Sequence, residues 1–488
     1  MKKIILYMTV ATLMLSGCSI DVNHDPNHPT SVNPALELPG AEGSLATVAG
    51  DGMETPSGIF VQYFDQLPES EQYANLVRYY ITQSSAVLDR SYETLYAGTL
   101  MDLQDILNSN EVTGADKFAA ECLRAYGLQL AVDNWDQAPY KEAFGGNSNT
   151  QPHWDSGKAV YKGVLNELDS VQNLIGSSSM TAEDMVNGKN MKQWIGFANA
   201  LRLRMYLRFI DANVDVSDYE SKVKKLLAEN NFFTGDIKFD NFKDEADRRN
   251  PWYSDQYINL NTTNLCAGYA IMSYMKSTND TVRIAYDFAK DGQGNYTGTL
   301  PAAKYAFPAL KNANCSEMRY RATLPVYFFT QAELQFLIAE AQLRFNTNDA
   351  AAKSAYEAGI EADFESRGLT GASNLYNGSV AWSKATTTEG KLNLIYMQKW
   401  VSLLYRDHTE AWSEQRRTDV PKWSSVSAKE IYKSPVGYNA GDLIVPAVNA
   451  LGGNNVIKRE WIPYDATLYN PNTPKAISIT TPVWWDIK

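Results

Sequence analysis

Residues 331–364 read QAELQFLIAEAQLRFNTNDAAAKSAYEAGIEADF, the clearest structural pattern in the chain. In the first half, apolar residues recur at the spacing of one face of an α-helix: Leu334, Leu337, Ile338, Ala341 and Phe345. The turn-forming residues 346–349 follow, and a second helical pattern covers 351–364. Small residues on both helices allow close packing: Ala339, Ala341, Ala355 and Ala358. The stretch therefore predicts a helical hairpin of the tetratricopeptide type.

The same apolar spacing recurs in earlier parts of the sequence. It predicts helices within 116–135, 158–175 and 194–205. These helices lack the strict signature of a regular tetratricopeptide array. We therefore expect a mainly α protein built on a degenerate tetratricopeptide-like helical scaffold.

Irregular stretches rich in polar and aromatic residues separate the predicted helices. They cover 239–264, 287–318 and 371–388. Long loops inside a compact protein are usually functional or disordered, and the aromatic content of these stretches argues against disorder. We expect them to carry the binding surface.

The N-terminus resembles an export signal with a lipid-attachment site. Lys2 and Lys3 precede the apolar stretch 4–15, which is shorter than the roughly 20 residues of a transmembrane helix. The sequence Leu-Ser-Gly-Cys ending at Cys18 resembles a bacterial lipobox, in which the cysteine is acylated. An ordinary cleavable signal with an incidental cysteine is the alternative.

This reading divides the chain into three parts. We expect a signal peptide over 1–17, a lipidated N-terminal arm over 18–45 and a single domain over 46–488. The arm is rich in Asp, Asn, Pro and Gly, a composition typical of a spacer. Lipid attachment at Cys18 would tether the rest of the protein to a membrane.

Composition narrows the class of function. The net charge is -12 and basic residues occur only in short pairs, which disfavours nucleic acid as a partner. Only four histidines occur, dispersed along the chain, and we predict neither a metal site nor a cofactor. Because the sequence lacks the common hydrolase, phosphate-binding and metalloprotease motifs, we do not expect an enzyme.

Two charged clusters admit a catalytic and a structural interpretation. Glu410 and Glu414 lie four residues apart on a predicted helix, like the carboxylate pair of a glycosidase, but Arg416 and Arg417 beside them favour a structural ion-pair network. The structural interpretation is also favoured for the arginines of the helix within 194–208: Arg202, Arg204 and Arg208.

The cysteines behind Cys18 do not form a disulfide framework, because at most one pair is possible. Cys122 lies on an apolar helical stripe and is interpreted as a small buried residue. The sequence leaves open whether Cys266 and Cys315 pair.

Several motifs together resemble those of the SusD/RagB nutrient-binding lipoproteins of Bacteroidetes. They are, in order, Cys18 with DPN at 25–27 and PT at 29–30, LYAG at 95–98, DQAPYKEA at 136–143, WIGFANALRLRMYLR at 194–208, AE at 332–333, AEA at 339–341, YEAGI at 356–360, QKW at 398–400, RRT at 416–418 and TPVWWD at 481–486. Gln137 departs from the glycine that is frequent there in the family. The order of these motifs along the chain, behind a lipobox, makes the resemblance specific.

The resemblance implies a monomeric protein with a helical scaffold and a loop-rich cap, anchored by lipid on the outer-membrane surface. It would capture an oligosaccharide and deliver it to a SusC-like TonB-dependent transporter, without chemistry of its own. Two alternatives remain open: a relative that captures peptides, and an envelope scaffold that binds no nutrient.

Candidate ligand residues come from aromatic loops with amide and hydroxyl neighbours, which suit sugar recognition. The first group is Trp252, Tyr253 and Tyr257 with Asn259, and the second is Tyr73, Tyr79 and Tyr80. The alternative is that these rings only pack their loops onto the scaffold. Trp484 and Trp485 are assigned to packing.

Overall fold

The computed structural model describes residues 33–85 and 87–488. The predicted signal peptide, Cys18 and the first part of the arm lie outside these residues. About 53% of the structure is helical. The predicted mainly α class is confirmed.

The helices and strands are short and numerous. The α-helices are α1 Pro34–Thr47, α2 Glu54–Phe60, α3 Ala74–Val77, α4 Asp89–Glu93, α5 Met101–Asn108, α6 Gly114–Trp135, α7 Gly157–Gln172, α8 Met191–Asp211, α9 Val216–Glu229, α10 Pro251–Tyr253, α11 Tyr269–Ser277, α12 Thr281–Asp287, α13 Ala303–Ala306, α14 Gln331–Phe345, α15 Asp349–Ser366, α16 Ala372–Tyr376, α17 Thr388–Leu403, α18 His408–Thr418, α19 Ala428–Lys433 and α20 Tyr464–Tyr469. Turns of π-helix cover Val48–Gly52, Thr94–Leu100 and Ser254–Asn259. The strands are β1 Phe64–Gln66, β2 Gln137–Pro139, β3 Trp154–Ser156, β4 Ile237–Phe239, β5 Leu265–Ala267 and β6 Val326–Phe329. They pair antiparallel in twos, β1 with β5, β2 with β3 and β4 with β6.

Helices α14 and α15 form the predicted hairpin. The side chain of Thr330 caps α14 by accepting a hydrogen bond from the Glu333 amide, and Asn348 caps α15 in the same way. Gly359 brings the helices close together, because a Cβ there would lie 2.7 Å from the Phe336 ring. The sequence expectation for this stretch is confirmed.

The largest hydrophobic core joins α1, α6, α7 and α8. Helix α6 is buried almost along its whole length and begins with a capping box between Thr113 and Asp116. Cys122 on this helix is fully buried, as its position on the apolar stripe predicts. It is a free thiol, as are Cys266 and Cys315.

The predicted boundary at residue 46 is wrong, because α1 crosses it. Leu38, Ala41 and Leu45 of this helix are fully buried in the largest core. Asn33 caps its start and Pro34 occupies the first turn, where the missing amide hydrogen costs no hydrogen bond. The Pro and Gly residues that suggested a spacer are therefore part of a packed helix from Pro34 onward.

A second core lies under the cap and positions the site described below. It combines α2, the β1–β5 pair and α11 with parts of α17 and α18. The stretch 239–264, expected to be irregular, contains the short helix α10 and the π-helical turn Ser254–Asn259. Asn250 caps this helix through its side chain and fixes where the segment turns.

The C-terminal tryptophans pack as expected. Trp485 is buried, with the guanidinium of Arg208 5.1 Å from its ring. Trp484 packs edge-on against Tyr161, with ring centroids 5.4 Å apart. Across 33–85 and 87–488, the helices are all too short or too polar to cross a membrane.

Candidate functional site

Trp252, the main predicted sugar platform, lies in the second core and is only 4% exposed. Its indole Nε1 donates to Thr55 Oγ1 at 2.9 Å. The rings that surround it, with centroids 5.0 to 5.7 Å away, are Phe64, Tyr320, Tyr405 and His408. The expectation of a ligand-facing Trp252 is therefore wrong in this structure: burial against these rings leaves no free face.

Tyr79 is likewise unavailable to a ligand. It is 3% exposed and its ring packs edge-on against Phe60. Its backbone adopts φ of 56°, a left-handed conformation that is rare for an aromatic residue. This turn directs Tyr79 into the core and leaves its neighbour Tyr80 57% exposed.

Tyr253 and Tyr257 stand together on the surface of the 251–259 segment. Their ring centroids are 5.3 Å apart at an angle of 38°. Tyr257 is 49% exposed and Asn259 is also exposed. These three residues remain available for contact, but without Trp252.

Tyr73 and Tyr80 of the second predicted group line a cavity of about 540 Å³, which we call the tyrosine cavity, whereas the four residues of the first group are not among its lining residues. Its walls come from the π-helical turn Val48–Gly52, from the start of α2, from the segment 71–81 with Ser85 and Val87, and from Asp255 of the turn Ser254–Asn259. The residues central to it are Asp51, Gln72, Tyr73, Asn75, Tyr80 and Asp255. Tyr80 offers the most exposed aromatic surface in this group.

Tyr73 is fixed by Gln256. The hydroxyl of Tyr73 lies 2.9 Å from Gln256 Oε1 and accepts from Gln256 Nε2 at 2.6 Å. Gln256 is fully buried and its Nε2 also donates to Asp255 Oδ2 at 2.9 Å. This chain of hydrogen bonds connects the two loops that line the tyrosine cavity.

The loop that carries Tyr73 and Tyr80 is anchored on its far side as well. Lys304 donates to the carbonyl of Pro68 at 3.1 Å, and the indole of Trp461 donates to the carbonyl of Ile81 at 2.9 Å. The guanidinium of Arg78 stacks 4.6 Å from the Tyr305 ring. The cavity wall is therefore preformed, which lowers the entropic cost of binding.

Carboxyl groups set the charge of the cavity. Burial, reinforced by nearby Asp255 and Glu54, raises the pKa of Asp51 to about 7. Burial also raises the pKa of Asp255. Asp51 therefore changes its protonation near neutral pH, where it can both donate and accept hydrogen bonds.

The candidate carboxylate pair is structural. Glu410 Oε2 lies 2.6 Å from Arg208 Nη2, and Glu414 Oε2 lies 2.6 Å from Arg417 Nη2. Both glutamates are buried, and Lys399 contacts both. The ion-pair interpretation is confirmed.

Sequence reasoning missed Asp51, Asp255 and Gln256 as site residues. Asp255 and Gln256 belong to the aromatic stretch that the sequence analysis selected, so their position beside tyrosines could have indicated them as site residues. Asp51 lies about 20 residues before the Tyr73 group, in a Gly-rich turn without a binding motif. Only the tertiary fold brings it to the cavity.

The family model described as "starch-binding associating with outer membrane", the SusD-like family, matches residues 26–436. The chain belongs to the SusD-like family. This covers most of the sequence and agrees with the resemblance found in the motifs. No curated protein matches this SusD-like chain.

Solved structures share the fold of this SusD-like protein. A SusD homologue from Bacteroides uniformis superposes with a TM-score of 0.72 at 20% identity, over 93% of this chain and 99% of that one. A homologue from Bacteroides vulgatus gives 0.71 at 19% identity, over 91% and 97%. A chitin-binding homologue from Flavobacterium johnsoniae gives 0.69 at 22% identity, over 92% and 98%.

Proposed function

We propose that this SusD-like protein binds an oligosaccharide in the tyrosine cavity at the cell surface and delivers it to a SusC-like TonB-dependent transporter. The observation that carries the proposal is the joining of Tyr73 and Tyr80 with amide and carboxyl groups in one preformed cavity. The description of the family as starch-binding and the chitin-binding relative both support a carbohydrate as ligand.

The chemistry of the cavity suits a sugar. The exposed ring of Tyr80 can stack on the C–H face of a pyranose, while Gln72, Asn75 and Ser85 offer groups that pair with hydroxyls. The charged residues of the wall are Asp51, Glu71 and Asp255, all acidic. An uncharged sugar therefore fits better than a uronate or a sulfated glycan, which these carboxylates would repel.

Calorimetric titration of the soluble chain from Ser19 onward tests the ligand. The probes are maltoheptaose, N-acetylchitohexaose and a mixture of unstructured peptides. We expect saturable binding of at least one oligosaccharide. Tyr80→Ala should weaken the affinity by about five- to thirtyfold, which corresponds to the loss of about 1–2 kcal/mol of binding free energy with the ring contact. Tyr469→Ala is the matched control, since Tyr469 is 75% exposed outside the cavity.

The outcomes separate the candidate ligands. Binding of peptides alone would show that the ligand is a peptide and not an oligosaccharide. Equal oligosaccharide affinity in Tyr80→Ala and Tyr469→Ala would remove the tyrosine cavity as the site. Binding of neither class would favour an envelope scaffold.

Delivery and anchoring need a cellular test. We expect Cys18→Ser to release the protein from the outer-membrane fraction, because the lipid on Cys18 supplies its attachment. We also expect the unmodified protein, solubilised in mild detergent, to copurify with a large TonB-dependent barrel. Membrane retention of Cys18→Ser would contradict the lipid anchor, and purification without a barrel would contradict the partnership.

A further inference from the structure

A second cavity lies away from the tyrosine cavity and shares none of its lining residues. It has a volume of about 770 Å³, opens to the surface and is lined by α5, α6, α7 and the turn that follows β2. The turn belongs to the DQAPYKEA motif at 136–143, whose role the proposed function leaves unexplained. We call this space the Arg124 cavity after the arginine in its wall.

Arg124 has hydrogen-bonding capacity to spare. Its Nη1 donates to Glu121 Oε2 at 3.1 Å and to Glu167 Oε2 at 2.7 Å. Among the described residues, Nη1 is the only nitrogen of this guanidinium that donates a hydrogen bond. The Nε atom is buried and has no acceptor there. Nη2 also makes no hydrogen bond among the described residues and, unlike Nε, is not fully buried, so Nη2 is the donor that a ligand in the cavity can reach. A donor without an acceptor at the wall of a cavity is satisfied by a ligand or a bound water.

Two rings hold the guanidinium in place. Its central carbon lies 5.7 Å from the Tyr140 ring centroid and 5.3 Å from that of Phe144. Tyr140 lies directly on α7 at Gly163, where a Cβ would approach the tyrosine hydroxyl to 2.3 Å. The motif therefore shapes one wall of the cavity and orients Arg124.

The charges of the cavity balance. Arg124 and Lys141 are matched by Glu142 and Glu167, so an anionic ligand would bring a further negative charge beside existing carboxylates. The remaining polar side chains are the phenol of Tyr140 and four amides, each amide with donors and an acceptor: Gln104, Asn108, Asn149 and Asn166. The hydroxyls of an uncharged sugar can form hydrogen bonds with these amides and can accept from the unpartnered donor of Arg124.

We infer that the Arg124 cavity is a second binding site for an uncharged sugar unit, independent of the tyrosine cavity. Its ligand is held by the guanidinium of Arg124 and by the surrounding amides. The site gives the protein two places at which one long oligosaccharide, or two short ones, can bind.

The test places a bulky residue at the exposed rim instead of disturbing buried Arg124. Asn166→Trp on α7 fills the cavity, and Lys158→Trp, exposed on the same helix outside the lining, is the control. Both are made in the Tyr80→Ala background, which weakens the tyrosine cavity. Binding of maltoheptaose, N-acetylchitohexaose and hexagalacturonate is measured by calorimetry, and hydrogen exchange is followed over 140–149.

We expect the Tyr80→Ala protein to retain binding of an uncharged oligosaccharide, and this ligand to protect 140–149 from hydrogen exchange. In the same background, Asn166→Trp should weaken this binding at least tenfold, whereas Lys158→Trp should leave it unchanged. Hexagalacturonate should bind more weakly. Equal binding in the two tryptophan variants, or ligand binding without protection of 140–149, would overturn the second site and leave the tyrosine cavity intact. Unweakened binding in Tyr80→Ala that Asn166→Trp abolishes would overturn the tyrosine cavity alone, and binding of neither sugar to the unmodified protein would overturn both.

Discussion

Arg204 and Glu333 form a two-point ion pair between α8 and α14. Arg204 Nε lies 3.0 Å from Glu333 Oε1, and Arg204 Nη2 lies 2.7 Å from Glu333 Oε2. Both side chains are buried, and the Arg204 guanidinium also covers the Phe329 ring at 4.0 Å. The contact joins two helices that the sequence predicts.

Removing one partner of this pair should be strongly destabilising. Arg204→Met leaves Glu333 buried with only Lys399 as a cation at 3.4 Å, and we expect a loss of about 3–5 kcal/mol in the free energy of unfolding. Lys222→Met removes the exposed pair with Asp218 and should cost less than about 0.5 kcal/mol. Urea denaturation measures both, and a loss below about 1 kcal/mol in Arg204→Met would show that the pair is dispensable.

Periodicity was sufficient to predict the scaffold. Helices α6, α14 and α15 begin and end within three residues of the predicted limits, because each has both a capping residue and an apolar face, and α8 extends to Asp211, six residues beyond the predicted 194–205. The buried arginine network was also foreseeable, since arginines on an amphipathic helix need nearby carboxylates. Local sequence carries these features.

The site was only partly foreseeable. The exposure of an aromatic residue depends on which tertiary neighbours cover it. The sequence of the loop does not indicate that Phe64 and Tyr405, distant in the chain, bury Trp252. The positive φ at Tyr79, which turns Tyr79 inward and Tyr80 outward, is also set by tertiary contacts. Composition therefore located the loops and, in Tyr73 and Tyr80, part of the cavity wall, but not Asp51 or Asp255.

Trp252→Ala should act on stability. Because Trp252 is buried among aromatic rings, the truncation should cost about 3–5 kcal/mol in the free energy of unfolding. Tyr257→Ala removes a half-exposed ring five residues further along the same segment and should cost less than about 1 kcal/mol. Chemical denaturation followed by circular dichroism compares the two. Similar stability of both variants would mean that Trp252 is more accessible than its position indicates.

Glu42 should make stability fall as pH rises. Burial and the neighbouring Asp184 raise its pKa to about 9, while an unfolded glutamate titrates near about 4.3. The contribution of Glu42 to the free energy of unfolding is fully present below the pKa of the unfolded state and is lost as pH rises through about 9. Between these two pKa values only the folded state holds the proton. The slope from this group approaches about 1.4 kcal/mol per pH unit.

Glu42→Gln keeps the hydrogen-bonding shape and removes the titration. We expect its stability relative to the unmodified protein to increase steadily from pH 5 to about 9 in urea denaturation series. Glu183→Gln, with a side chain 71% exposed, is the control and should show no such trend. A constant difference between Glu42→Gln and the unmodified protein would contradict the shifted pKa of Glu42.

Gly196 and Gly40 should respond oppositely to alanine. Both lie inside helices, where alanine is intrinsically favoured by about 1 kcal/mol. At Gly196 a Cβ would lie 2.2 Å from the Phe233 amide nitrogen, so the backbone at 232–233, between α9 and β4, would have to move away from α8. At Gly40 nothing lies within 4 Å of the added carbon.

We therefore expect Gly40→Ala to raise the free energy of unfolding by about 0.5–1 kcal/mol and Gly196→Ala to lower it by about 1–3 kcal/mol. Thermal and urea denaturation of the two variants give both signs against the same reference. If Gly196→Ala were also stabilising, helix propensity would outweigh the close approach of residues 232–233, and the glycine of the WIGFAN sequence would have no packing role.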